Sequence, residues 1–444
     1  MSTNLAEEKQ NSYQAAFNEL QQRSDAAGMD WLKQLRARAM EQFAETGFPS
    51  VRDEEWKYTN VAAIAKSNFQ PTFEVSAIDN ELKQFIAAQG EHANQLVLID
   101  GVLNAEHSHL NASSSELTAI RLAEAIVDHR HKDTVRAHLG READYVANSF
   151  TALNTAFANE GVYLQIPKGM TVNEPIHLLL VATREAVATF PRILIVAEEQ
   201  STATIMENYV AARAGKYFTS AVVEVVVKDS TRLEHFKVQR ESTNAFHVAN
   251  TAVDLGRSAV YDSTTITFGA SLSRHDLSVT MNHEGAHCTV DGLYLVTGDQ
   301  HADTHSVIDH RMPRCSSRQL YKGILDGKSR AVFNGKVFVR HNAQQTDAMQ
   351  TNKNLLLSND ARVDTKPQLE ILADDVKCAH GAAVGQISEE ELFYLETRGI
   401  HTDLARNLLT YGFAEEVIEK IKVESIRKQL DEAVLSRLNA RLEA

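Results

Sequence analysis

The sequence contains few of the residues that lock a fold covalently or force a turn. Its 444 residues include three cysteines, seven prolines and two tryptophans. Three cysteines at distant positions (Cys288, Cys315 and Cys378) cannot form a disulfide framework, and free thiols are typical of a reducing compartment. A chain of this length usually forms two or three domains, although a single elongated solenoid also fits.

Long apolar runs and an excess of positive charge are also missing. No run approaches the roughly 18 apolar residues that a membrane-spanning helix needs, and the first residues, M-S-T-N-L-A-E-E-K-Q, lack the basic start of a secretory signal. The formal net charge is −14, and an acidic surface repels nucleic acids and anionic membranes. We therefore expect a cytoplasmic protein whose partners are proteins or metals, with neither nucleic acid nor membrane among them.

The pattern of secondary structure changes three times along the chain. It predicts four regions: an N-terminal helical region at 1–94, a mixed α/β lead-in at 95–161, a β-rich core at 162–388 and a C-terminal helical domain at 389–444. Within the first region, a helix is predicted from Asp30 to Gly47 because Leu32, Ala39 and Phe43 share one face. The following stretch, V-R-D-E-E-W-K-Y-T-N, is predicted to be a short extended segment.

The β-rich core is compatible with a sandwich, a pair of barrels or a solenoid. Turn-forming clusters at Glu199, Asp229, Gly256 and Glu284 recur about every 27 to 30 residues, a spacing typical of solenoid coils. The repeat weakens after about residue 300. We predict the solenoid.

The C-terminal region is predicted to form two helices with apolar faces. Thr402 is a candidate N-cap for the first helix. The apolar stripes of the two helices are Leu404, Leu408, Tyr411, Ala414, Ile418 and Ile421, and then Ile426, Leu430, Val434 and Leu438. Such a module is expected either to cap the solenoid or to dock a partner, and the sequence leaves both open.

Two motifs resemble functional sites without meeting their requirements. The stretch G-I-L-D-G-K-S at 323–329 has three residues between its glycines where a phosphate-binding loop has four, and strand-like segments flank it, so a turn is predicted. The segment 283–310 contains His283, His287, Cys288, His301, His305 and His310. A ladder of hydrogen-bonded histidines is the favoured interpretation there, with a metal site of a storage protein as the alternative.

The stretch D-D-V-K-C-A-H-G-A-A-V-G places Cys378 and His380 two positions apart in a predicted strand. Side chains with this spacing face the same way, so sulfur and nitrogen can approach one soft metal ion, with Lys377 nearby to favour the thiolate. Two ligands do not close a site, and a buried thiol beside a hydrogen-bonded histidine is the alternative. No nucleophile motif or C-x-x-C motif is present.

Several stretches resemble the SufB/SufD family of iron–sulfur cluster assembly scaffolds. They are E-E-W-K-Y-T, G-V-Y-L-Q-I-P-K-G, C-S-S-R-Q-L-Y-K-G-I-L-D-G-K and the run around D-V-K-C-A-H-G, and together they extend from about residue 50 to about residue 415. SufB-like members have a cysteine where this chain has Leu395, and they lack the D-V-K-C-x-H-G phrase. The resemblance is therefore to the SufD-like members.

The resemblance implies a mainly β fold, with a right-handed parallel β-helix between N-terminal and C-terminal helical regions. It also implies a non-enzymatic scaffold that forms a heterodimer with SufB through the β-helix. One SufC ATPase is then expected to dock on the C-terminal helices, at Leu404, Leu408, Tyr411 and Ile418. A cytosolic β-helix enzyme acting on carbohydrate is the alternative function.

By the same resemblance, His380 corresponds to a family histidine at the interface with SufB, and Cys378 to the neighbouring cysteine. A transient iron or iron–sulfur cluster shared with SufB is expected there, with no cofactor bound stably by the chain alone. Without SufB the chain is expected to form a homodimer, because it exposes a sheet edge.

Overall fold

The computed structural model describes residues 13–22, 30–73, 78–111 and 116–440. These residues form a two-sheet β-solenoid of about eight coils with helices packed along its sides, which confirms the predicted fold class. The helices are α1 (13–22), α2 (Asp30–Thr46), α3 (Ala62–Lys66), α4 (Asn80–Ala88), α5 (Leu122–Val127), α6 (Lys132–His138), α7 (Ser149–Ala156), α8 (Glu389–Thr397), α9 (Thr402–Ile418) and α10 (Glu424–Ala440).

Each coil of the solenoid contributes one strand to each sheet, and strands of successive coils pair in parallel. Sheet A contains β1 (Gln70–Pro71), β4 (Thr118–Arg121), β5 (Gly161–Ile166), β7 (Val187–Thr189), β8 (Arg192–Ala197), β10 (Phe218–Val227), β12 (Phe246–Leu255), β14 (Leu272–Met281), β16 (His301–His310), β18 (Arg330–Val339) and β20 (Arg362–Ile371). Sheet B contains β2 (Asn94–Ile99), β3 (Val102–His109), β6 (Ile176–Ala182), β9 (Thr202–Ala211), β11 (Arg232–Arg240), β13 (Val260–Thr267), β15 (His287–Val296), β17 (Ser316–Leu325), β19 (Thr346–Leu356) and β21 (Val376–Gly385).

A column of turns explains the repeat that the sequence shows. One residue of each turn has a positive φ, and its N–H donates to a carbonyl of the next coil. The residues of this column are Gln200, Ser230, Ser258, Gly285, Arg314 and Gln345, at separations of 27 to 31 residues. The repeat therefore continues beyond residue 300, where the sequence pattern is too weak to show it.

The main core fills the inside of the solenoid. Alternate residues of each strand face inward, and most of them are apolar in the first coils, as in Val162, Leu164 and Leu178. Burying an apolar side chain of this size stabilises a fold by about 1.5–3 kcal/mol relative to leaving it exposed. The stacked interior is therefore the main source of the solenoid's stability.

The N-terminal region packs on the outer face of sheet A. Aromatic residues of β10 and β12, Phe218 and Phe246, share one cluster with Phe43 of α2 and with Trp56. The stretch around Trp56 was predicted to be extended, but residues 54–56 form one turn of 3-10 helix. Arg274 explains this difference, because it lies 3.7 Å from the centre of the Trp56 ring and donates a 2.7 Å hydrogen bond to the carbonyl of Glu55.

The C-terminal helices α9 and α10 pack on the outer face of sheet B. Ile418, Leu430 and Val434 are buried there against Phe236 and Leu293 of the sheet. The helix α9 begins at Thr402 with His401 as its N-cap, one position earlier than predicted. No helix of the described residues is long and apolar enough to cross a membrane.

Candidate functional site

The solenoid ends at two strands, and in the described part of the chain no further strand pairs with their outer edges. The last strand of sheet A is β20, and the last strand of sheet B is β21. The inward-facing residues of β19, one coil earlier, are buried, including Ala348 and Gln350. Their partners on β21 are the half-buried Cys378 and the exposed His380, because no following coil covers them. This end of the solenoid is therefore open.

Cys378 and His380 continue two inward columns of sheet B. Cys378 pairs with Ala348 and packs against the interior apolar cluster, whereas His380 pairs with Gln350. Because strand residues two positions apart lie on the same face, both side chains project from one side of the last strand. The thiol and the imidazole are thus presented together at the open end.

The thiol of Cys378 is held in its neutral form in the isolated chain. Burial raises its pKa, an effect that a backbone hydrogen bond at Ala348 reduces and the charge of Asp347 reinforces. The suggestion that Lys377 favours the thiolate is therefore wrong for this state, because desolvation of the charged form dominates. A metal ion that binds the sulfur has to displace the proton.

The pair does not complete a metal site by itself. Across the described residues, no three histidine, cysteine, aspartate or glutamate side chains are grouped so that they hold a metal ion. Thiolate sulfur and imidazole nitrogen suit iron and iron–sulfur clusters. Any cluster bound at Cys378 and His380 needs further ligands from elsewhere.

The histidine-rich segment 283–310 lies along the solenoid wall, where His283 is exposed and the other histidines have protein partners. They hydrogen-bond with neighbouring side chains: His287 with Ser316, His301 with Thr59, and His310 with Ser317. This arrangement agrees with the ladder that was favoured from the sequence. The ring of His310 is buried, and burial lowers its pKa to about 4, so it is neutral.

His305 differs from these histidines because it holds the N-terminal region onto sheet A. Its ring lies 3.1 Å from Asp303 and 3.3 Å from Glu55 of the 3-10 helix. Burial and Arg274 disfavour the charged ring, but the charge and hydrogen bond of Asp303 together with the hydrogen bond of Glu55 raise the pKa of His305 to about 9. At neutral pH the imidazolium therefore bridges two carboxylates.

Charged residues in the middle of the solenoid interior were missed by sequence reasoning. Glu207 of β9 lies 2.7 Å from His235 of β11, and Glu241 lies 2.7 Å from His247 of β12, all of them buried. Burial alone raises the pKa of Glu207, but Lys237 and His235 lower it to about 2. A polar residue at an alternating strand position usually indicates a solvent-facing side, so only the register between coils identifies these as inward-facing.

Three of the four predicted docking residues are accessible on α9. Leu404 and Leu408 are 51% and 46% exposed, and Tyr411 is half-buried. The inclusion of Ile418 requires a correction, because this residue is fully buried against sheet B and serves to attach the helix. The neighbouring helix α8 adds Phe393 and Tyr394, 66% and 57% exposed, which the sequence analysis did not select.

The glycine-rich stretch at 323–329 does not form a phosphate-binding loop that opens a helix. It covers the end of β17, a turn and the residues before β18, with Gly327 at a φ of 65° in the turn. Since no helix follows the turn, no helix N-terminus is available for a phosphate. The predicted turn is confirmed.

The fold is a two-sheet parallel β-solenoid with helices packed on the outer faces of both sheets. The chain matches the family described as the SufBD core domain of the SUF system for iron–sulfur cluster assembly at residues 180–413. It also matches the family described as the SufBD N-terminal region at residues 7–178. The chain therefore belongs to the SufB/SufD family of iron–sulfur cluster assembly proteins.

Individual relatives agree with this assignment and with the resemblance to SufD-like members. The chain is 31% identical over 409 residues to the iron–sulfur cluster assembly protein SufD of Escherichia coli, which covers 91% of both chains. It is 34% identical over 400 residues to a SufBD family protein of Synechocystis, covering 88% of this chain and 87% of the relative. Protein ABCI7, chloroplastic, of Arabidopsis thaliana is 31% identical over 414 residues, which cover 90% of this chain and 84% of the relative.

Proposed function

We propose that this chain is a non-enzymatic scaffold subunit that pairs with SufB and docks the SufC ATPase during iron–sulfur cluster assembly. The observation that carries the proposal is the open end of the solenoid, where Cys378 and His380 lie on a strand with no outer partner among the described residues. The nascent cluster is then a cargo of the complex and not a resident cofactor. Free thiols and an acidic surface fit work in the cytoplasm.

The surface around the open end fits burial against a second solenoid. Four large apolar side chains are exposed near it: Met349, Ile371, Leu372 and Val384. An uncovered strand edge flanked by apolar side chains is a surface that pairs with other chains. We propose SufB as the partner in the complex, and a second copy of this chain as the partner when SufB is absent.

In this proposal, Cys378 and His380 are the ligands that this chain contributes to a shared cluster. Ligands from two chains separate when the interface opens, so the site binds its cluster transiently. Binding at Cys378 is coupled to proton release, because burial favours the neutral thiol. Opening of the interface by SufC requires that ATP-bound SufC favours the open arrangement over the closed one.

The shared site is tested by iron and sulfide analysis of the complex co-expressed with SufB and SufC. We expect His380→Ala to assemble with both partners and to contain little cluster, and Cys378→Ala to contain less cluster than the native complex. His129→Ala is the matched control, because His129 is an exposed histidine far along the chain from β21. A His380→Ala complex that fills like the native complex would refute the shared site.

We propose the exposed apolar side chains of α8 and α9 as the SufC docking surface. Deleting all residues after 400 is a poor test, because it uncovers the apolar outer face of sheet B. The substitutions Leu404→Asp and Leu408→Asp are sharper, since both side chains are exposed. Leu435→Asp on α10 is the matched control, because Leu435 is 44% exposed.

Co-purification with SufC distinguishes these variants. We expect Leu404→Asp and Leu408→Asp to lose SufC while they retain SufB, and Leu435→Asp to retain both partners. Retention of SufC by a chain that carries both Leu404→Asp and Leu408→Asp would show that the ATPase docks elsewhere.

A further inference from the structure

Two buried glutamines lie in the inward column that ends at His380. Gln319 of β17 pairs with Gln350 of β19, and Gln350 pairs with His380 of β21. The side chains of both glutamines are buried within the solenoid. Burying an amide costs free energy unless its polar atoms have hydrogen-bond partners. A buried amide atom without a partner therefore needs an explanation.

The hydrogen bonds of this column leave one acceptor unused. Gln319 donates from Nε2 to Oγ of Ser306, at 2.7 Å. Gln350 donates from Nε2 to Oε1 of Gln319, at 2.6 Å. Among the described residues, Oε1 of Gln350 has no hydrogen-bond partner although it is buried. The chain of amides therefore presents an acceptor one coil below His380.

The opposite sheet leaves space for this amide. Gly335 of β18 faces the Gln350 carboxamide, and a Cβ atom at this position would lie 2.4 Å from Nε2 of Gln350. Any larger residue would displace the carboxamide from the position in which Gln319 holds it. The orientation of Gln350 is thus determined by a hydrogen bond on one side and by close packing on the other.

We propose that Gln350 is a positioning residue for His380: the exposed His380 ring, which is not hydrogen-bonded to Gln350 in this structure, turns so that Oε1 of Gln350 accepts the N–H of one ring nitrogen, and the other ring nitrogen then faces outward as the metal ligand. Histidines that bind metals usually donate their second nitrogen to such an acceptor, which selects one tautomer and one ring orientation. The inference rests on the proposed function for the role of the outward nitrogen. The turn of the His380 ring toward Gln350 does not depend on it.

The hydrogen bond is tested by the tautomer of His380 in the full chain, measured by ¹⁵N NMR in alkaline buffer and assigned with His380→Ala. We expect one neutral tautomer to dominate in the native chain. Gln350→Leu removes the acceptor at similar side-chain volume and should give a mixture of the two neutral tautomers of His380. Gln350→Glu keeps an acceptor oxygen. It should retain the single tautomer if the Gln319 amide turns, so that its Nε2 donates to the new carboxylate and its Oε1 accepts from the Ser306 hydroxyl.

Cluster content of the complex with SufB and SufC gives the second readout. Loss of such a supporting partner usually weakens metal binding about 10-fold to 100-fold, so we expect a loss of cluster of about that order at limiting iron for Gln350→Leu. Gln350→Glu should retain most of the cluster. Asn354→Leu is the control, because it removes another buried inward amide from β19 in a column that ends at Val384.

The two proposals fail separately. If the complex that contains His380→Ala has the native cluster content, the shared site is wrong, whatever the tautomer measurement shows. If the complex that contains His380→Ala lacks the cluster but Gln350→Leu keeps the native tautomer and the native cluster content, the positioning role is wrong and the shared site stands. A loss of cluster in Asn354→Leu equal to that in Gln350→Leu would also overturn the positioning role, because it would indicate general damage to the interior.

Discussion

The two ends of the solenoid have the same parallel strands, but further strands cover only the first end in the described part of the chain. At the first coil, β3 and β4 run antiparallel to their neighbours β2 and β5, and the inward residues Leu178 and Leu180 are buried. At the last coil, no strand covers β20 or β21 in the described part of the chain, and the inward residue Val384 is exposed.

This difference shows that exposure at the last coil is a property of the edge and not of the residues on it. Leu180 and Val384 lie in one inward column of sheet B, in which Leu98 of β2 covers Leu180 and no described residue covers Val384. An unpaired strand is a liability that proteins usually cover, and we propose the edge that is uncovered in the described part of the chain as the place of a partner chain.

The largest expected effect separates stability from pairing at the two ends. Leu180→Asp places an unpaired carboxylate in the closed end and should cost more than about 4 kcal/mol, enough to prevent folding or to lower the Tm sharply. Val384→Asp at the open end should change stability by less than about 1 kcal/mol but abolish pairing with SufB. Thermal unfolding and co-purification measure the two effects, and equal destabilisation by both substitutions would remove the distinction between the ends.

The next effect concerns a buried ion pair near the closed end. Arg192 and Glu224 are fully buried 2.6 Å apart, and Glu224 also accepts backbone N–H groups from the loop after α6. Glu224→Gln leaves the arginine charge without its partner and should cost about 3–5 kcal/mol, measured as a fall in Tm. The exposed pair of Lys168 and Glu199 is the control, because Glu199→Gln should cost less than about 1 kcal/mol. If Glu224→Gln lowers the Tm no more than Glu199→Gln does, the buried pair does not stabilise this end of the solenoid.

A smaller effect depends on pH and concerns His305, which ties the N-terminal region to coils nearer the open end. Its pKa is about 9 in the fold, above the usual value near 6.5, so its stabilising effect is complete below about pH 6.5 and disappears as the pH rises through about 9. The free energy of unfolding of the native chain should exceed that of His305→Ala by up to about 3 kcal/mol at the lower pH. Urea unfolding at several pH values measures this difference, and a difference independent of pH would contradict the account.

The smallest effect is on thiol reactivity. Burial raises the pKa of both Cys288 and Cys378, but Cys288 is fully enclosed whereas Cys378 is half-buried at the open end. Iodoacetamide should modify Cys378 slowly and Cys288 only on unfolding, and SufB should protect Cys378. Mass spectrometry identifies the modified residue. Modification of Cys288 before Cys378 would show that the interior is not closed.

The fold was predictable from the sequence because its turns recur. Each coil ends at a turn with a positive φ, as at Gln200 and Ser230, and such turns favour small or polar residues that the sequence displays. The 3-10 turn at Glu54–Trp56 was not predictable, since it depends on a contact with Arg274, more than 200 positions later.

The candidate site was predictable in part for similar reasons. The spacing of Cys378 and His380 determines that they share a face, whereas the acceptor on Gln350 becomes visible only when the register pairs β19 with β21. The error at Ile418 has the same cause. An apolar stripe on a helix does not reveal which of its residues attach the helix to its own chain and which are free for a partner.

Hydrogen–deuterium exchange of the chain with and without SufB tests the central claim most directly. Peptides covering Val376–Gly385 are expected to exchange readily in the chain at a dilution that keeps it monomeric and to become protected in the complex with SufB, while peptides of Ile176–Ala182 are protected in both. If exchange at Val376–Gly385 is unchanged when SufB binds, the open end is not the partner surface and the shared site at Cys378 and His380 is wrong.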